Sequence, residues 1–109
     1  MSILSLIASD GFIVINKKIL ELFGIQAALL LGELANEANY WAMQNKLEDG
    51  FFYSKSANLE KRTGLSLYQQ AQAIKKLEQA GVLSTIVKGV PPTKYFKINE
   101  KEFLKSLSN

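Results

Sequence analysis

The sequence predicts an α+β fold, mainly α. Three observations point to it. Residues 25 to about 46 repeat apolar side chains at three- and four-residue spacing. Two shorter helical stretches meet at Thr63-Gly64-Leu65-Ser66. Two β-branched and aromatic runs flank the loop Lys88-Gly89-Val90-Pro91-Pro92-Thr93-Lys94. The chain has 109 residues, 48% of them hydrophobic, which suits one domain spanning residues 1–109 with a sizeable core.

Each element follows from local chemistry. Phe12-Ile13-Val14-Ile15 is β-branched and aromatic and predicts a short N-terminal strand. Asn16 caps a short helix through Lys17 and Phe23, and Gly24 ends it. In the long helix that follows, Ala27, Leu30, Leu31, Leu34, Ala35, Ala38, Trp41 and Ala42 form the apolar stripe, which Leu29 widens. Glu33, Asn36, Glu37, Tyr40 and Gln44 mark its polar face, and the helix runs for roughly six turns. Asp49-Gly50 makes a turn, and Phe51-Phe52-Tyr53 is a brief strand. Ser54 or Ser56 caps the next helix, which runs through about Thr63 and which Gly64 ends. Ser66, with Gln69 three residues later, forms a capping box for a helix whose inward face is Ala73, Ile74 and Leu77, and Gly81 stops it. Residues 82–87 and 95–98 read as a hairpin. Residues 100–107 close the chain as a short helix burying Phe103, Leu104 and Leu107.

Composition narrows the function. Cys and His are absent, which removes disulfides, thiol nucleophiles, histidine bases and the usual zinc ligand sets. Neither a metal nor a cofactor is expected, and neither is catalysis. Glu33 and Glu37 lie one turn apart, but without an oxyanion donor nearby a solvated face accounts for them better than acid–base work. The phosphate-binding glycine loops are missing too. Residues 1–10 carry no basic leader, so no secretion signal is expected, and a bacterial host's reducing cytoplasm is the expected setting. No apolar run is long enough to predict a membrane span. Phe51, Phe52, Trp41, Tyr95 and Phe96 are assigned to the core.

Charge is divided unevenly. The first 50 residues carry three lysines against six carboxylates, and the remainder carries ten cations against four carboxylates. Such a split points to a polyanion partner for the second half. From Phe51 onward the order is strand, helix, turn, helix, hairpin, which is the order of a winged helix-turn-helix. In that arrangement the second helix enters the major groove of double-stranded DNA. The candidate DNA-binding residues are then Ser66, Tyr68, Gln69, Gln72, Lys75 and Lys76 on this helix. Lys88 and Lys94 flank the wing tip, and Lys55, Lys61 and Arg62 belong to the preceding helix. Backbone contacts are expected to dominate, with base readout resting on Tyr68, Gln69 and Gln72. Duplex binders often pair to match two half-sites, so a homodimer through the long helix or the terminal helices is a further expectation.

From about Phe12 to Phe103 the chain resembles the N-terminal domain of phage replisome organisers and related replication initiators of Gram-positive phages and plasmids. The resemblance rests on Ile15-Asn16-Lys17-Lys18, on a long helix ending near Tyr40-Trp41, and on Phe52-Tyr53-Ser54. It continues through Thr63-Gly64-Leu65-Ser66, Ile74-Lys75-Lys76-Leu77, Gly81-Val82-Leu83 and the returning strand Pro91-Pro92-Thr93-Lys94-Tyr95-Phe96-Lys97-Ile98-Asn99. It implies DNA replication: origin binding and recruitment of replication proteins. Such initiators tend to be longer, with a second domain, so the chain is expected to be an excised domain or a small stand-alone protein. They usually carry a branched apolar residue at the position of Gln70, and often an arginine near Ala71 or Gln72. Two other functions are compatible with the same residues. One is a transcription regulator of the same geometry. The other is a protein-interaction module, such as a phage inhibitor or a primosome assembly domain, that kept the fold without binding DNA.

Overall fold

The computed structural model describes residues 11–108. The fold is mixed α+β and mainly helical. The elements are α1 (Lys17–Phe23), α2 (Ile25–Met43), β1 (Phe52–Tyr53), α3 (Ser56–Thr63), α4 (Leu67–Gln79), β2 (Leu83–Lys88), β3 (Thr93–Ile98) and α5 (Glu100–Ser108). The three strands form one antiparallel sheet in the order β1-β3-β2. Among the described residues no helix is long and apolar enough to cross a membrane.

The central helix α2 packs along α4 and also touches α1, α3 and the sheet. Its Ala27, Leu30 and Leu34 are fully buried, together with Ile19, Leu59, Leu77, Val82, Leu83, Phe52 and Phe96 from the surrounding elements. Removing each of these larger side chains from water contributes roughly 1.5–3 kcal/mol. The start of α1 follows the expected chemistry. Asn16 Oδ1 accepts from the N–H groups of Lys18 and Ile19 at 2.8 and 3.0 Å, holding the first turn of α1. Asp49-Gly50 turns the chain so that Glu48 and Phe51 exchange backbone hydrogen bonds of 3.1 and 2.9 Å. The hairpin register pairs Leu83 with Ile98 and Lys88 with Thr93. Asn99 ties its base together, donating to Gly81 O at 2.7 Å and to Ser84 Oγ at 2.9 Å.

Several expectations need correction. Residues 12–15 form no strand. Their backbone lies across α2 instead: a Cβ placed on Gly32 would stand 2.5 Å from Val14 O. Asn36 donates to Phe12 O at 3.1 Å. A segment that runs over a helix has no neighbouring strand edge to pair with. Ala35 and Ala42 are exposed, because the stripe of α2 that meets the core is rotated toward Glu33 and Glu37, which are buried at 6% and 9% exposure. The polar face expected of those two carboxylates is therefore wrong. Neither Ser54 nor Ser56 caps α3; its N-cap is Lys55, with no side-chain cap bond, and Ser54 is buried. On α5, Leu104 is exposed while Phe103 packs on the core. The expected burial of Leu107 and the reading of residues 1–10 lie outside what the structure describes.

Candidate nucleic-acid interface

The turn between α3 and α4 is held at every residue. Gly64 takes the left-handed conformation, φ 78° and ψ 1°, and its N–H donates to Glu60 O at 2.8 Å. Glycine adopts this geometry without a Cβ penalty. Thr63 Oγ1 donates to Leu59 O and accepts from the N–H of Leu65 at 3.1 Å. Leu65 is buried and anchors the turn in the core. Ser66 and Gln69 form both bonds of the capping box: Ser66 Oγ accepts from the Gln69 N–H at 3.1 Å, and Gln69 Oε1 accepts from the Ser66 N–H at 2.9 Å.

Gln70 explains how α3 and α4 keep their relative position. It is 3% exposed, and its Nε2 donates to Ser56 O at 3.1 Å and to Leu65 O at 3.0 Å. One side chain thus satisfies a carbonyl at the start of α3 and another in the turn. A branched apolar residue there would leave both carbonyls without this donor. Sequence reasoning did not find this role. The available signal was spacing, since Gln70 falls in register with Ala73, Ile74 and Leu77.

These constraints present the outer face of α4 to solvent. Tyr68 is 72% exposed, and its hydroxyl accepts from Gln72 Nε2 at 2.9 Å one turn later. Lys75 continues the same face and is exposed. A groove of about 520 Å³ runs between the starts of α3 and α4 and the hairpin tip, with Lys55 and Lys94 among its lining residues. The backbone joins these two segments, since the Ser54 N–H donates to Lys94 O at 3.5 Å. Lys61 is exposed in the last turn of α3. Among the described residues, Lys55, Lys61, Lys75 and Lys94 make no ion pair.

The other candidates are engaged elsewhere. Ser66 and Gln69 serve the capping box. Lys76 is exposed and reaches Phe23 O, the C-terminal carbonyl of α1, at 3.5 Å. Arg62 points at α2, with Nη1 3.4 Å from Glu33 Oε2 and 3.9 Å from Glu37 Oε2. Ser54 Oγ donates to Glu37 Oε1 at 2.7 Å. Glu37 Oε2 is buried and finds no hydrogen-bond partner among the described residues. Burial, helped by the neighbouring Glu33 and opposed by Ser54 and Arg62, pushes the Glu37 carboxyl up to about 7. Glu33 and Glu37 share the spacing of Leu30, Leu34 and Trp41, which was the sequence signal for their burial.

Lys88 and Lys94 do not act together. Side chains alternate along a strand, so Lys94 shares the core-side face with Phe96, whereas Lys88, opposite Thr93, shares the outer face with Tyr95. Lys88 Nζ lies 2.9 Å from Glu48 Oε2 and 4.5 Å from the Tyr95 ring centroid. Its hydrogen bond to Glu48 raises its pKa above the usual lysine value. The core assignment of the aromatics holds for Phe52 and Phe96, which are 2% and 1% exposed. Trp41 is half-buried and packs against that core from α2, whereas Phe51 and Tyr95 are only half-buried, just before β1 and on the outer side of the sheet. Among the described residues there is no group of three metal-ligating side chains. The arrangement on α4 and around the groove offers amide and phenol hydrogen bonds next to unpaired cations, which suits a polyanion with readable edges. No protein-family profile, curated protein or solved structure matches the chain.

Proposed function

We propose that the chain is a winged helix-turn-helix that binds double-stranded DNA through α4. The observation that carries this reading is the exposed row Tyr68, Gln72 and Lys75 on a helix locked by its turn and capping box, beside the unpaired Lys55, Lys61 and Lys94. A helix fits the width of the major groove. There Gln72 and Tyr68 face base edges, with Gln suited to adenine, while the lysines take phosphates. Lys94 extends the contact from the hairpin to the flanking backbone. Arg62, held by Glu33 and Glu37, stays with the scaffold, and Ser66 and Gln69 preorganise the helix start. The resemblance to replication initiator domains makes origin DNA the proposed target, with replication proteins as partners.

The test is fluorescence anisotropy with a labelled duplex at about 0.1 M salt. Both Lys75 and Lys76 are exposed, so Lys75→Glu with Lys76→Glu preserves the fold, as circular dichroism will show. The double variant is expected to lose binding at least 100-fold, since the Lys75 attraction becomes a repulsion and a second negative charge is placed beside it on the same helix. Unchanged affinity in that variant, or no duplex binding by the parent, would sink the reading in favour of a protein-interaction module.

A further inference from the structure

The outer face of the sheet carries rings where a water-facing sheet normally carries polar side chains. The register puts Tyr53 of β1 opposite Tyr95 of β3, which lies opposite Ile86 of β2. Tyr53 and Tyr95 have ring centroids 6.1 Å apart. Trp41 lies 5.6 Å from Tyr53, and Tyr40 lies 5.3 Å from Trp41. The four rings make an unbroken row from α2 across β1 to β3. Tyr40 is 57% exposed and Tyr53 is 40% exposed. Cations flank the row: Lys46 Nζ stands 5.9 Å from the Trp41 ring and Lys88 Nζ stands 4.5 Å from the Tyr95 ring.

We propose that this row binds single-stranded polynucleotide, on a surface separate from the exposed face of α4. Ring faces accept bases of any sequence and neighbouring lysines accept the backbone phosphates, so the two together suit an unpaired strand. A duplex keeps its bases stacked inside and has no free faces to offer. A purely apolar protein partner would gain nothing from the lysines. Asp49 also acts on Lys88, and the other carboxylates on this side are compatible with a polyanion. Glu48 is tied to Lys88 in an exposed pair that a phosphate can replace. Glu33 and Glu37 lie beneath Arg62 at the end of the row near Tyr40 and Tyr53. Burial leaves Glu37 only partly ionised near neutral pH. This site does not depend on duplex binding by α4.

Trp41 is the single tryptophan and therefore reports on the row. The full chain is titrated with oligo-dT and with oligo-rU of about 16 nucleotides, following Trp41 fluorescence. Quenching by either oligomer supports the proposal, and the tighter of the two identifies the sugar. Tyr40→Ala, at an exposed helix position, and Tyr53→Ala are each expected to weaken binding roughly 5- to 100-fold. Lys75→Glu with Lys76→Glu is expected to leave single-strand binding unchanged while it removes duplex binding. No quenching by either oligomer overturns the proposal. So does parental affinity in both tyrosine variants, or loss of single-strand binding in the lysine double variant.

Discussion

Glu37 lies on the stripe of α2 that faces the protein interior, between the Ser54 hydroxyl and the Arg62 guanidinium, with Glu33 one turn away. Its carboxyl ionises at about 7 in the folded chain against an ordinary value of 4.5. Below about 4.5 the group is protonated in both states. As pH rises from there toward 7 the unfolded chain releases its proton first, so the folded state holds more protons and stability falls. Above about 7 the loss is complete and the curve flattens. Glu37→Gln keeps an oxygen for Ser54 and removes the titration. The parent is expected to lose about 1–3 kcal/mol relative to this variant across that window, read as melting temperature from about pH 4 to about pH 8. Parallel pH profiles for the two proteins would remove Glu37 as the cause. Gln70 makes the same point without a charge: a polar residue on an inward stripe is there for the two carbonyls that it satisfies.

At the level of elements, α2 is shaped as much by what crosses it as by its own periodicity. A glycine inside a helix costs about 1 kcal/mol relative to alanine, so propensity alone predicts that Gly32→Ala stabilises the chain. The packing predicts the opposite. A Cβ at residue 32 would stand 2.5 Å from Val14 O and 2.6 Å from Ile13 Cγ2, so backbone would have to move. We expect Gly32→Ala to lower the unfolding free energy by about 1–3 kcal/mol, measured by urea denaturation. A stabilised variant would show that residues 12–15 are not held against α2. The same crossing explains why a β-branched run lies extended without becoming a strand. By contrast, α4 was legible to its ends, because Ser66, Gln69 and the turn residues Thr63 and Gly64 act within a few residues of themselves.

Over the whole molecule, folding partly cancels the charge split between the two halves. The acidic first half contributes Glu33, Glu37 and Glu48, and these meet Arg62 and Lys88 from the basic second half. What remains for an external polyanion around α4 is Lys55, Lys61, Lys75 and Lys94. Each lysine that neutralises a phosphate contributes a slope of about −0.9 to log K against log salt. Duplex binding should therefore show a slope of roughly −3 to −4, measured by anisotropy at several salt concentrations. A slope near zero would show that these lysines do not meet phosphates, and one much steeper would draw in Lys76 and the outer-face lysines.

Local chemistry in the sequence determined the caps of α1 and α4, the turns, the hairpin and the apolar inward positions of α4, since caps, left-handed glycines and residue spacing work over three or four residues. It also placed Tyr68, Gln72 and Lys75 on one face. Only the tertiary structure decided which cations stand free of an ion pair around α4. Arg62 and Lys88 look like ordinary surface cations in sequence, yet each meets a carboxylate from a distant part of the chain. Only the tertiary structure, too, brought Tyr40, Trp41, Tyr53 and Tyr95 into a row, because cross-strand register and helix-to-sheet packing join residues that no local pattern connects.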